Sequence, residues 1–195
     1  MADSQEIVLK AASSSDEALL SNLLELYIHD LSDVFPELEL GSDGRFGYPQ
    51  LPLYWSEQER RFAFLLRCDG RVAGFVLATR GSPARENPDV LDIAEFFVIR
   101  RYRRSGVGRR AACLLWRALP GQWTVRVSEG NQGALHFWAG VIAEFTNGTA
   151  IESRRPGHPN AWRVFSFESA PPPANKPLQP TRRAGAAAPR LKRKG

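Results

Sequence analysis

The sequence predicts an α/β fold in which helices cover both faces of one mixed central sheet. Three observations predict it. Short apolar segments rich in branched and aromatic residues alternate with amphipathic segments of helical period. Some of these segments are joined by tight turns and others by whole helices, so the sheet must mix antiparallel and parallel pairs. The chain has 195 residues, 43% of them hydrophobic and 24% charged, which suits one globular domain with a sizeable core.

Residues 5–12 form the first expected strand, with Ile7, Val8 and Leu9 at its centre. Ser14 and Glu17 then stand at capping-box spacing, in which each side chain satisfies an unpaired backbone donor. Leu19, Leu20, Leu23, Leu24, Tyr27, Ile28 and Leu31 follow as one apolar stripe, and this helix should end before Pro36. Residues 36–55 read as irregular, with Phe46, Tyr48, Tyr54 and Trp55 among glycines and prolines. A short helical turn is expected over 56–59.

Two strands are expected over 62–68 and 72–79. They are joined by Asp69-Gly70, a two-residue hairpin in which glycine supplies the positive φ. After a loop rich in proline and glycine, 90–99 is the most apolar strand and the natural centre of the sheet. Residues 106–119 read as a helix with Val107, Ala111, Leu114, Leu115 and Ala118 on one side. A strand over 123–127, a helix over 132–142 carrying Leu135, Trp138 and Ile142, and strands over 149–154 and 161–168 complete the order β-α-β-β-β-α-β-α-β-β.

We expect a domain over 5–169 and a disordered tail over 170–195, because the tail is rich in Pro, Ala, Arg and Lys and cannot bury enough apolar surface to offset ordering. The net charge of +5 misleads unless divided. Seven of the 26 basic residues lie in 171–195 with no acid, leaving 19 against 21 acidic residues in the body. A slightly acidic body argues against nucleic-acid binding by the folded domain. No apolar run approaches the ~20 residues that cross a bilayer. The N-terminal residues lack a secretory pattern, so a cytoplasmic protein is expected, without membrane association. Cys68 and Cys113 lack metal-ligand spacing and are expected to be reduced and buried, and no metal is expected.

The segment that carries chemistry is a strand, an arginine-rich turn, two glycines and a helix. Arg103-Arg104-Ser105-Gly106-Val107-Gly108 would bring backbone close to a ligand and aim the unpaired N–H groups of a helix start at it. That arrangement suits a diphosphate. Arg100, Arg101, Arg103, Arg104, Arg109 and Arg110 crowd the same place with no acid between them in sequence, a cluster that is costly without solvent or an anion. Gly106, Gly108 and Ala111 also fit the dinucleotide fingerprint G-x-G-x-x-A, with Glu129 near the place of a ribose-binding acid. That alternative is weaker. A basic segment intervenes between strand and glycine, several strands come before it, and too little chain follows to complete a dinucleotide sheet. A Walker loop is excluded because no Gly-Lys-Ser/Thr is present here.

At this point the sequence resembles the GCN5-related N-acetyltransferase (GNAT) superfamily. Arg103, Gly106 and Gly108 meet its Arg/Gln-x-x-Gly-x-Gly/Ala signature. Asn131, Ala134, Phe137 and Trp138 resemble the Asn-x-x-Ala-x-x-Phe-Tyr pattern that opens its next helix. The segments 43–48 and 53–55 resemble a bacterial branch of the family.

The resemblance implies the acyl-CoA N-acyltransferase fold and acetyl transfer from acetyl-CoA to a primary amine of a small molecule or protein, by direct attack in a ternary complex. It implies that the backbone of Phe96, Phe97 and Val98 pairs with the pantetheine arm, with the Val98 N–H steadying an oxyanion. It implies that amides of Arg103, Arg104, Ser105, Gly106, Val107, Gly108 and Arg109 hold the pyrophosphate. Asn131 would bond the arm, with Ala134 and Phe137 packed beside it; Asn131 also reads as a helix cap. Asp92 and Glu95 are the candidate bases. Strict alternation puts them on opposite faces, but a bulge between them would change that, and the choice stays open. Trp138 stands where the family commonly has a tyrosine that protonates the leaving thiolate. Tyr48, Tyr54 and Trp55 are candidates for an aromatic acceptor pocket, and Asp43 or Glu57 for meeting an ammonium group. The chain is expected to act as a monomer or homodimer. A non-catalytic acyl-CoA-binding module is the alternative, and nucleic-acid binding through the basic tail a weaker one.

Overall fold

The computed structural model describes residues 5–170. Except for Ala170, the expected tail lies outside them. Seven strands form one sheet: β1 (Ile7–Ala11), β2 (Arg61–Cys68), β3 (Arg71–Arg80), β4 (Leu91–Val98), β5 (Gly121–Ser128), β6 (Ile151–Arg155) and β7 (Trp162–Ser169), in the order β1-β2-β3-β4-β5-β7-β6. Neighbours are antiparallel except β4 and β5, which are parallel. The four main helical segments are α1 (Glu17–Leu31), α2 (Leu53–Ser56), α3 (Val107–Ala118) and α4 (Gln132–Thr146).

The β2–β3 hairpin turns on Asp69 and Gly70, with φ values of 50° and 73°. Both residues therefore take the left-handed conformation that a two-residue hairpin needs. The parallel β4–β5 pair is bridged by α3, as a parallel connection requires.

The two faces of the sheet are covered by different helices. Leu20, Leu24, Leu51 and Tyr54 of the α1–α2 side pack on Leu65, Phe75, Leu77 and Phe97. On the other face Trp116 of α3 and Ile142 of α4 pack on Ile93, Trp123, Val125 and Phe167.

Some local expectations need correction. The capping box is formed one residue earlier, by Ser13 and Asp16, because a 3-10 turn over Ser14–Asp16 precedes α1; the Ser13 N–H donates to the Asp16 carboxylate at 3.0 Å. The short helical turn is Leu53–Ser56 rather than 56–59: Tyr54 is drawn into the core, and the Glu57 carboxylate is held by Arg61. The buried face of α3 is rotated from the expected one. Trp116, fully buried, draws Ala112 inward with it, while Leu114 is only half-buried and Ala118 is exposed. Cys113 is half-buried rather than buried, and Cys68 and Cys113 are both free thiols.

Candidate active site

The site arises where the sheet fails to stay closed. β4 pairs with β3 along its whole length, but with β5 only at Leu91–Trp123 and Asp92–Thr124. Beyond Asp92 the two parallel strands part. The resulting cleft, about 380 Å³, is lined by Glu95 and Phe96 of β4, Arg126 of β5, Asn131, Ala134 and Trp138 of α4, and Tyr27 of α1, among others.

Hydrogen-bonding alternation decides what β4 shows to this cleft. The Ile99 N–H donates to Ala73 at 2.9 Å, which directs Ile99 and Phe97 toward β3. Phe96 and Val98 therefore turn their backbone groups the other way, into the cleft. Phe97 contributes its ring to the core instead, near Tyr27 and Phe75. The expectation that three consecutive residues offer backbone to a ligand is thus reduced to Phe96 and Val98.

The same strand carries a bulge. Leu77 pairs with Glu95 and Ala78 with Ile93, so Ala94 is an extra residue on β4. That insertion cancels the alternation between Asp92 and Glu95. Both pair with same-face residues of β3, Thr79 and Leu77, and both point to the α1 side. The opposite-face expectation is corrected for this reason.

The two carboxylates differ in everything but facing. Asp92 is fully buried. It accepts two bonds from Arg126 Nε and one from Nη2, all at 3.0–3.2 Å, and another from the Ser82 hydroxyl. Engaged on both oxygens and fully buried, it presents no exposed surface to a substrate. Glu95 is half-buried and lines the cleft. It accepts one bond, from the Tyr48 hydroxyl at 3.0 Å. Burial pushes its carboxyl above the usual glutamate range, against the hydroxyls of Tyr27 and Tyr48 and the Arg126 charge, which favour the ion. Burial also raises the Tyr48 phenol strongly, so this hydroxyl stays a donor at neutral pH.

At the far end of β4 the chain turns through Arg100–Tyr102 into α3. Arg104 (φ 62°) and Gly106 (φ 81°) both adopt left-handed backbone. The N–H groups of Arg104 through Arg109 find no acceptor among the described residues; the next, of Arg110, donates to Gly106. Six consecutive N–H groups without an acceptor at a helix start are a donor set of the kind that suits an anion. The two glycines do different work. A side chain at Gly106 would meet no atom but would oppose its φ, whereas a Cβ at Gly108 would lie 3.3 Å from the Phe137 ring.

The arginine cluster is not left without acids, as the local sequence implied. Arg100 and Arg103 both bind Asp30 of α1, and Arg109 binds Glu144 of α4. The Arg103 Nε also donates to the Val98 carbonyl at 2.7 Å, which fastens the turn to the end of β4. Arg104 carries no such ion pair among the described residues.

On α4, Asn131 caps the helix by accepting the Ala134 N–H at 3.0 Å. Phe137 and Trp138 pack against Phe96, with ring centroids 5.9 and 4.9 Å away. Trp138 is 6% exposed. Of the expected acceptor aromatics, Tyr48 reaches Glu95, while Tyr54 and Trp55 belong mainly to the core beneath it. Asp43 and Glu57 are engaged elsewhere, Asp43 with the Arg45 N–H and Glu57 with the Arg61 side chain.

Sequence reasoning missed Tyr27, Arg126, Ser82 and Glu25. Tyr27 was hidden in the apolar stripe of α1, although its polar tip was the signal. Arg126 was legible as the one charge within β5. Glu25 fastens the loop that carries Tyr48, accepting from the N–H groups of Phe46 at 2.7 Å and Gly47 at 3.1 Å. Ser82 left no signal in a loop of small residues. Among the described residues, no group of three or more His, Cys, Asp or Glu is placed to hold a metal, and no helix is long and apolar enough to cross a membrane.

The model of the acetyltransferase (GNAT) family matches residues 22–140. A Salmonella typhimurium protein solved with its cofactor acetyl-CoA superimposes with a TM-score of 0.60 at 11% identity, covering 88% of this chain and 99% of that one. An acetyltransferase from Thermus thermophilus gives 0.57 at 16% identity, over 83% and 96%. Spermidine N-acetyltransferase from Vibrio cholerae, in complex with CoA and spermine, gives 0.56 at 13%, over 84% and 95%. At these identities the likeness is one of fold. No curated protein matches the chain in sequence.

Proposed function

The chain belongs to the acetyltransferase (GNAT) family, and from that premise we propose that its 5–169 domain acetylates a primary amine, with Glu95 as the base. The observation that carries this reading is the parting of β4 from β5 just past Asp92, with Glu95 on the strand edge that the parting exposes.

Acetyl-CoA, when bound, supplies an acetyl group activated as a thioester. The residues fit such a ligand at three places. The free N–H groups of Arg104 to Arg109 suit a diphosphate, and Arg103 holds that turn in position. Phe96 and Val98 offer backbone donors and acceptors to an extended polar arm, as an edge strand offers them to another strand. Asn131, Ala134 and Phe137 wall the opposite side of the arm. Asn131 serves as helix cap in the same position.

An amine arrives at neutral pH as an ammonium ion and must lose a proton before it can attack. Glu95 takes that proton. Its Oε1 accepts from the Tyr48 hydroxyl and the Tyr27 hydroxyl also faces the carboxylate; Oε2 is assigned to the ammonium. A raised carboxyl is a better proton acceptor than an ordinary glutamate, because base strength follows pKa. Asp92 is assigned a positioning role: it holds Arg126. The Val98 N–H, turned into the cleft, is assigned to the developing negative charge on the acyl oxygen. Trp138 offers an indole N–H, which donates a hydrogen bond but is no acid near neutral pH. Tyr48 forms the polar wall of the acceptor side, backed by Tyr54 and Trp55.

The test is thiol release from acetyl-CoA across a panel of amines, beside calorimetry with coenzyme A. Turnover that collapses in Glu95→Gln while coenzyme A still binds is the expected result. Turnover that survives in Glu95→Gln and collapses in a folded Asp92→Asn would move the base to Asp92. Trp138 favours a second reading, an acyl-CoA-binding module without catalysis. Coenzyme A binding with no thiol release from any amine would select it.

A further inference from the structure

The acceptor side of the cleft holds a cation as well as a carboxylate. Arg126 points from β5 to the same face as Asp92 and Glu95 and lines the cleft beside Glu95. Its Nε and Nη2 are spent on Asp92, and its side chain keeps 25% of its surface exposed. Nη1 has no acceptor among the described residues. The guanidinium lies over the Trp162 ring, 5.9 Å from its centroid, and Trp162 stacks on Phe35 at 6.0 Å. A planar cation pinned on one edge by a buried carboxylate and on one face by an indole cannot swing away. It presents one fixed N–H pair to the cavity.

We infer that the acceptor is a small amino acid-like zwitterion, its ammonium group at Glu95 and its anionic oxygen at Arg126 Nη1. This rests on the acetyl-transfer reading and adds the substrate class. Three observations support it. A free guanidinium nitrogen in a half-enclosed cavity is a preorganised carboxylate donor. Glu37 and Glu95 are the carboxylates lining the cleft. They give an ammonium group a partner in the same cavity as the guanidinium. Finally, Asp92 cancels most of the Arg126 charge, so the guanidinium adds direction more than net attraction. That feature separates a zwitterion from a bare amine.

The experiment compares matched trios on the intact protein: phenylalanine, phenylalaninamide and phenethylamine; serine, serinamide and ethanolamine; with spermine as the polycation. Thiol release gives kcat/KM for each. Calorimetry of each amine in the presence of coenzyme A gives binding apart from turnover. A charged hydrogen bond made by the carboxylate predicts a preference of about tenfold or more for the amino acid over its decarboxylated partner. In Arg126→Lys, which keeps a charge opposite Asp92, that ratio should fall toward one, chiefly through a higher KM for the amino acid.

Equal use of all three members of each trio by the wild type would overturn the inference and leave acetyl transfer standing, as would a preference for spermine. A preference that persists in folded Arg126→Lys overturns it too, by making Arg126 only a partner for Asp92. If Arg126→Lys does not fold, the wild-type ratios and the calorimetric order of the trios still decide. Absence of thiol release from every amine overturns both readings together.

Discussion

The two edges of β4 form a natural comparison within this molecule. Toward β3 the strand is closed along its length, and Phe75, Leu77 and Phe97 meet in a dry core. Toward β5 it is closed for two residues and then open, and there Glu95, Phe96 and the Arg126 guanidinium line a cleft. One strand thus has a structural edge and a chemical edge. The difference teaches that the fold is held from one side, so the other can stay unpaired without destabilising it.

Breaking the closed edge should have the largest effect. A Cβ on Gly74 would sit 1.9 Å from the Phe97 carbonyl oxygen, and backbone cannot give way as a side-chain tip can. Gly74→Ala should therefore cost about 3 kcal/mol or more, at the upper end of overpacking, measured by urea unfolding. A stability loss under about 1 kcal/mol, below the overpacking range, would mean that the two strands can slide apart and that the closed edge is soft.

The open edge should respond in the opposite sense. Glu95→Gln should lower kcat by about a hundredfold or more, as loss of a general base does, while the protein becomes slightly more stable at neutral pH. The sign follows from the raised carboxyl. Folded protein holds the Glu95 proton to higher pH than the unfolded chain, whose ordinary value is 4.5, so ionisation destabilises the fold as pH rises through the folded pKa. The advantage of the glutamine variant should disappear as pH falls back through that range, which thermal melts from acid to neutral pH would show. The wild-type rate should rise with pH, with its inflection above 4.5. A variant that melts lower than wild type at neutral pH would contradict this account.

Asp92→Asn should give a contrasting result, mostly lost stability. Removing one member of a buried ion pair costs about 3–5 kcal/mol, but Arg126 remains partly exposed, so about 2–3 kcal/mol is expected. The smallest effect belongs to the turn. Gly106→Ala meets no atom but must hold a left-handed conformation, at about 1 kcal/mol. It should weaken coenzyme A binding several-fold by calorimetry.

Much of the closed edge was legible in the sequence, and much less of the open one. The Asp69-Gly70 hairpin, the central position of β4 and the α3 and α4 helices all follow from local period and turn chemistry, which act over a few residues. The bulge at Ala94 does not. It reflects how β4 must bend to pair with β3, and no residue type announces it, yet it decides which way Glu95 faces. The partners of Arg100 and Arg103 were illegible for a similar reason. Asp30 lies a whole sheet edge away in sequence, and only the fold brings α1 beside the β4–α3 turn. The Tyr27 hydroxyl was masked because an apolar stripe counts the ring and ignores its tip.

Glu25 stands on α1 and holds the segment that carries Tyr48. Partial burial would raise its carboxyl, but the amides of Phe46 and Gly47 together with the Arg45 guanidinium outweigh that and lower it. Its grip sets the path of the segment that delivers Tyr48 to Glu95. Acceptor choice could therefore be re-engineered by exchanging that segment and its clasp on α1 as a cassette, leaving every strand of the sheet as it is.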